Sequence, residues 1–166
     1  MTDEAVGDGV GELPLREIDD RLVLSVPADE SAIELTHELV ARLWMRHTHV
    51  PDDVRMRYEM GLIEILANVV EHAFAADGSG AADGSGGSGA VGGRRVLVTL
   101  AVNPTAAVAR LEDNGVPADL DLSQVAMPDE DSESGRGLAM ALAALTELTF
   151  SRDAGRNTWD LRCDLS

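Results

Sequence analysis

The sequence predicts an α+β fold, a two-layer sandwich in which a mixed, mainly antiparallel sheet carries helices on one face. Three observations lead there. Apolar and polar residues alternate with period two in several short segments, as half-buried strands require. Two helical patterns follow one another near the start with no strand between them, so helices and strands do not alternate as a parallel sheet demands. The C-terminal end reads as a hairpin, which places antiparallel strands there.

Taken in order, Arg16 to Val26 alternates at Ile18, Leu22, Leu24 and Val26 and predicts one strand, ended by Pro27. Ser31 and Glu34 form a Ser-x-x-Glu capping box that opens a helix. That helix carries Ile33, Leu35, Leu39, Val40, Leu43 and Trp44, and His47, Thr48, His49 and Pro51 close it. A second helix is predicted from Asp52 or Asp53 to about Phe74.

Composition then changes abruptly. AADGSG occurs at 75–80 and again at 81–86, and Gly and Ser continue to Gly93. This 75–93 insert has nothing with which to pack a core and is expected as a flexible surface loop. It lies within one domain, because the segments on either side each look too incomplete to fold alone. Arg95 to Val102 alternates as a strand, with Val96, Val98 and Leu100 facing one way, and Val108 to Glu112 makes another. Residues 117–133 are polar, acidic and poorly periodic. Gly135-Arg136-Gly137 opens a third helix, Leu138 to about Leu148. Leu148 to Arg152 leads through 154–157 into a return strand with Trp159, Leu161, Cys163 and Leu165 on one face. The order is β-α-α-β-β-α-β-β. One domain is expected over 16–166, after a Gly-rich, acidic, disordered tail over 1–15.

Composition narrows the function classes. A chain of 166 residues with 45% hydrophobic residues can bury a core, and with aromatics at 3% that core must be aliphatic. Thirteen Lys and Arg against thirty Asp and Glu leave a net charge of −17, which argues against direct nucleic-acid binding. One cysteine, Cys163, excludes an internal disulfide and a multi-cysteine zinc site; its place in a strand alternation marks it as a core thiol. No apolar run spans a bilayer, and the acidic start lacks the regions of a secretory signal, so no membrane association and a cytoplasmic protein are expected.

The second helix is the most informative element. Over Met60 to Phe74 it reads MGLIEILANVVEHAF, and helical spacing stacks Glu64, Asn68 and Glu71 on one stripe with His72 beside them. Alone, this could be the wet edge of an amphipathic helix. Solvent faces usually mix in Lys or Arg, however, and none occurs between Tyr58 and Phe74. Carboxylates beside a carboxamide would suit a hard divalent cation or general-base work. Asp113-Asn114-Gly115 could be a plain turn, or an Asp at a strand end that accepts a hydrogen bond from a ligand amino group, with Gly115 allowing close approach. Gly135-Arg136-Gly137-Leu138 could be loop punctuation, or a helix start that holds phosphate through backbone N–H groups and Arg136.

Together and in this order, Glu64-x-x-x-Asn68 with Glu71-His72-Ala73, Asp113-x-Gly115 and Gly135-x-Gly137-Leu138 resemble the nucleotide-binding fold shared by gyrase-type ATPases and histidine kinases. Within that superfamily, the short length, the paired early helices and the strand after Gly155-Arg156-Asn157 look most like the anti-sigma-factor serine/threonine kinases. The resemblance covers roughly Arg16 to Leu165. It implies ATP and Mg²⁺ as cofactors. Glu64 is implied as the general base and Asn68 as the Mg²⁺ ligand. Asp113 is implied as the reader of the adenine amino group, and Gly115 as the glycine that makes room for adenine. Gly135, Arg136, Gly137 and Leu138 fall at the phosphates, and His72 and Ala73 continue the helix toward the nucleotide, His72 in a packing role. The sequence departs from the family at Ala67, where a small hydroxyl residue often stands, and at Val116-Pro117, where a second glycine often follows.

The expected function is an ATP-binding anti-sigma factor that sequesters a sigma factor and phosphorylates a small anti-anti-sigma partner of the STAS type. A homodimer is also implied. The competing expectation is a nucleotide-dependent binding module without kinase activity.

Overall fold

The computed structural model describes residues 15–18, 20–77, 93–116, 121–125 and 135–166. Among them, six strands form one sheet in the order β1-β2-β3-β4-β6-β5. The strands are β1 (Leu15–Ile18), β2 (Arg21–Pro27), β3 (Arg95–Val102), β4 (Ala106–Asp113), β5 (Glu147–Asp153) and β6 (Arg156–Asp164). Every pairing is antiparallel. Three helices, α1 (Glu30–Arg46), α2 (Asp52–Asp77) and α3 (Arg136–Ala144), complete the α+β sandwich.

Strand alternation builds the core directly. Leu22, Leu24 and Val26 of β2 pair with Leu100, Val98 and Val96 of β3. Ala109 and Leu111 of β4 pair with Leu161 and Trp159 of β6. These side chains are buried with Leu39, Leu43, Tyr58, Leu62, Ile65 and Leu66 of the helices. Cys163 is buried in the same core, as its place in the alternation predicted. On the opposite sheet face a groove of about 660 Å³ is lined by residues such as Thr99, Arg110 and Asp160. Arg110 there makes a two-pronged ion pair with Asp160, at 2.6 and 3.1 Å.

Several boundaries differ from the sequence expectation. The single strand expected over 16–26 is a hairpin of β1 and β2. Asp20 turns the chain at φ 62°, a left-handed conformation that Asp tolerates better than most residues. The cap of α1 is Asp29, not Ser31. Its carboxylate accepts from the Ser31 N–H at 2.9 Å, placing a negative charge at the positive end of the helix. The second helix runs on to Asp77, three residues past Phe74, so Ala75–Asp77 of the expected insert are helical. Leu15, expected in the tail over 1–15, is the first residue of β1; residues 1–14 of that tail, residues 78–92 of the insert, and residues 117–120 and 126–134 lie outside the described residues. The third helix ends at Ala144 rather than near Leu148, because Thr146 N–H bonds to Arg162 O and draws the chain into the sheet. The β5–β6 turn places Ala154 at φ 47° and Gly155 at φ 79°, two left-handed residues of the kind that match the twist of a tight hairpin. Among the described residues no helix is long and apolar enough to cross a membrane.

Candidate functional site

α2 lies beside α3 and also touches β4 and β6. Its polar stripe therefore sits where α3 begins and where β4 ends. Glu64 and Asn68 are half-buried, whereas Glu71 and His72 one turn further on are exposed. Ala73 continues the same helix.

Glu64 meets the start of α3. A Cβ built on Gly137 would collide with Glu64 Oε2, so the helix backbone and the carboxylate can be this close only because residue 137 is glycine. Gly135 precedes it as the N-cap of α3 at φ 88°, a left-handed conformation that glycine adopts without steric cost. Among the described residues no side-chain hydrogen bond caps the N-terminus of α3. Leu138 is buried beneath it, and Arg136 is exposed.

Asp113 ends β4 facing inward and is 7% exposed. Its Oδ1 accepts from Gly115 N–H at 2.8 Å and from Asn157 Nδ2 at 2.9 Å. Gly115 was expected to make room for a ligand. In the structure, the space a Cβ would take at Gly115 is filled by Asp113 Oδ1, 2.7 Å away, so the glycine is required by the turn itself. Around this carboxylate lies a cavity of about 20 Å³ bounded by Val69, His72, Asp113, Gly115, Val116, Asn157 and Trp159. That is room for a water and not for a purine, so a base reaching Asp113 must displace part of this wall. Val116, at 47% exposure, and His72 are exposed residues of this wall.

The sequence-chosen residues thus form two groups on adjoining elements: Asp113 with Gly115 and His72, and Glu64 with Gly137. Sequence reading missed Asn157, Val69 and Trp159. Asn157 was taken for a turn residue, yet it opens the inward alternation continued by Trp159, Leu161 and Cys163. An amide at the head of a buried apolar row was the available signal.

A model of the histidine kinase-like ATPase domain matches residues 26–163. The chain belongs to this family. ATP binding follows from that membership, and the donors and acceptors of the site fit it. Asp113 is a buried acceptor beside a small cavity, and Gly135 and Gly137 stand at the start of α3 next to Glu64. No curated protein matches the chain. As a histidine kinase-like ATPase domain it places its motif helix, α2, centrally, against both the sheet and α3.

Proposed function

We propose that this domain is an anti-sigma factor with serine/threonine protein kinase activity, and that Glu64 is its general base. The observation that carries this reading is the placement of Glu64 against Gly137, which sets a carboxylate beside a helix N-terminus, the kind of place where backbone N–H groups can hold phosphate. ATP with Mg²⁺ would supply the transferable phosphoryl group and the neutralising charge.

The chain's own residues would do the rest. Asp113 would accept the adenine amino group. Backbone N–H groups at 135–137, with Arg136, would hold phosphate oxygens. Asn68 would offer its carboxamide oxygen to Mg²⁺. Among the described residues no three His, Cys, Asp or Glu cluster as a metal site. An Mg²⁺ held by Asn68 would commonly keep phosphate and water among its ligands. Glu64 would take the proton from a partner's Ser or Thr hydroxyl as that oxygen attacks.

The sigma factor, the anti-anti-sigma partner and the homodimer rest on resemblance to the kinase family. The test is transfer of labelled phosphate from ATP to a candidate anti-anti-sigma protein. Glu64→Gln should abolish transfer and spare ATP binding. Normal transfer by this variant refutes the base assignment. A nucleotide-dependent complex with no transfer by the unaltered protein favours a binding module without kinase activity.

A further inference from the structure

Asp113 and Asn157 are direct cross-strand partners at the ends of β4 and β6, both facing inward. Asn157 is 4% exposed, so each polar atom of its amide needs a partner. Arg152, on β5, donates from Nη1 to Asn157 Oδ1 at 2.6 Å. The same Nη1 donates to Gly115 O at 3.2 Å. On the other side, Asn157 Nδ2 donates to Asp113 Oδ1 at 2.9 Å and to Val116 O at 3.1 Å.

This order of partners determines which way the amide points. Arginine is a donor only, so it must meet the amide oxygen. The carboxylate and the Val116 carbonyl are acceptors, so they must meet the amide nitrogen. Turning the amide over would set oxygen against oxygen on one side and donor against donor on the other. The orientation of Asn157 is therefore set by its neighbours' chemistry.

The consequence falls on Asp113. Asn157 and Gly115 both donate to Oδ1, which must therefore be an acceptor, and the carboxylate is locked in rotation. Oδ2 is left as the oxygen through which an amino group would be held.

We infer that Asn157, oriented by Arg152, is a positioning residue that makes Asp113 selective for a 6-amino purine over a 6-oxo purine. This inference rests on Asp113 being the base-reading residue of the ATP site. A 6-oxo group would bring a second acceptor against a carboxylate that cannot rotate away. With the lock removed, the Asp113 carboxylate can turn, and the penalty on the oxo base shrinks.

The test is calorimetric titration of the full chain with ATP, inosine triphosphate and purine riboside triphosphate, which lacks the 6-substituent. Unaltered protein should prefer ATP over inosine triphosphate by roughly 10–100-fold, the range of one hydrogen bond to a charged group. Asn157→Leu should cut that preference by about tenfold while affinity for purine riboside triphosphate holds. A variant that merely loosens the fold would weaken all three nucleotides alike, and that outcome overturns the inference. Arg152→Gln provides a second variant at an exposed residue, with its folding checked by circular dichroism. It should lower the ATP preference in the same direction. An unchanged preference in Arg152→Gln, or in folded Asn157→Leu, also overturns the inference. If the unaltered protein binds ATP without preferring it over inosine triphosphate, the base-reading role of Asp113 fails first, and separately from the role of Asn157.

Discussion

The Glu64 carboxylate of α2 sits against the first turn of α3 at Gly137, where Oε2 occupies the space a Cβ would need. Two elements far apart in sequence, α2 and α3, are thereby brought into direct contact. The contact is asymmetric in what it costs to disturb. The colliding atom is the far end of a flexible side chain, so a methyl group at 137 can be accommodated if Glu64 swings aside.

Gly137→Ala should therefore separate stability from activity. Alanine gains helix propensity of up to about 1 kcal/mol over glycine, which offsets the cost of moving one half-buried carboxylate at the end of a flexible side chain. Unfolding free energy should stay within about 0.5 kcal/mol of the unaltered protein. Phosphoryl transfer should fall by about tenfold or more, since small misplacements of a reacting group are expensive. Any residual transfer left by Glu64→Gln should be lowered no further by adding Gly137→Ala. Additive losses would mean that Gly137 acts on something other than Glu64.

Gly115→Ala should behave differently, because the atom it meets is not free to move. Asp113 Oδ1 lies 2.7 Å from the built Cβ and is already held by Gly115 N–H and Asn157 Nδ2. Relief would break one of these bonds in a buried place, costing about 1–3 kcal/mol. Both melting temperature and ATP affinity should drop, the latter by about tenfold. Thermal unfolding with and without ATP measures both. Unchanged affinity would detach Asp113 from the nucleotide.

Gly61 faces Leu145 across the α2–α3 contact, with the built Cβ 2.6 Å from Cγ, 2.7 Å from Cδ2 and 2.8 Å from Cδ1. The obstruction here is the whole buried end of a leucine rather than a movable tip. Overpacking of about 1–3 kcal/mol should exceed the helix-propensity gain of about 1 kcal/mol. Gly61→Ala should thus lower stability in denaturant unfolding. Adding Leu145→Ala should be less harmful than in the unaltered background, because the methyl group then fills vacated space. Strict additivity of the two changes would refute the contact.

Much of this architecture could be read from alternation and period alone. β3 runs over Arg95–Val102 as expected, and the apolar stripe of α2 packs as its spacing required. What escaped was decided by partners distant in sequence. Leu145 and Leu148 continue the apolar rhythm of α3, yet the Thr146 N–H bond to Arg162 O ends the helix before them. The strand over 16–26 reads as continuous because the turning residue, Asp20, stands between apolar positions that keep the same parity. At the candidate site, Glu64, Asp113 and their glycines stand out in the sequence because few residue types can do the chemistry proposed for them, and the structure places Glu64 against Gly137 and Asp113 against Gly115. Asn157 was not, since its role exists only through the β4–β6 register that sets it opposite Asp113.

The single tyrosine offers a direct probe of the core between α2 and the sheet. Tyr58 is fully buried, stacks edge-on to Trp44 at 5.3 Å, and donates from its hydroxyl to Val108 O at 2.9 Å. Burial pushes the phenol far above its ordinary value of 10.0, and the neighbouring Cys163 and Glu59 push the same way. Burial also raises the Cys163 thiol. A raised acid is one whose neutral form the fold favours. The stability it contributes is complete below about pH 10 and is lost as pH climbs from there toward the folded value. Tyrosinate absorbance should therefore rise only together with loss of the far-ultraviolet dichroism of the helices. Tyr58→Phe should cost about 1 kcal/mol at neutral pH, by removing the bond to Val108 O. It should also make stability fall less steeply above pH 10, because one buried acid no longer titrates. Tyrosinate appearing in the folded protein near pH 10 would show that Tyr58 is not sealed in this core.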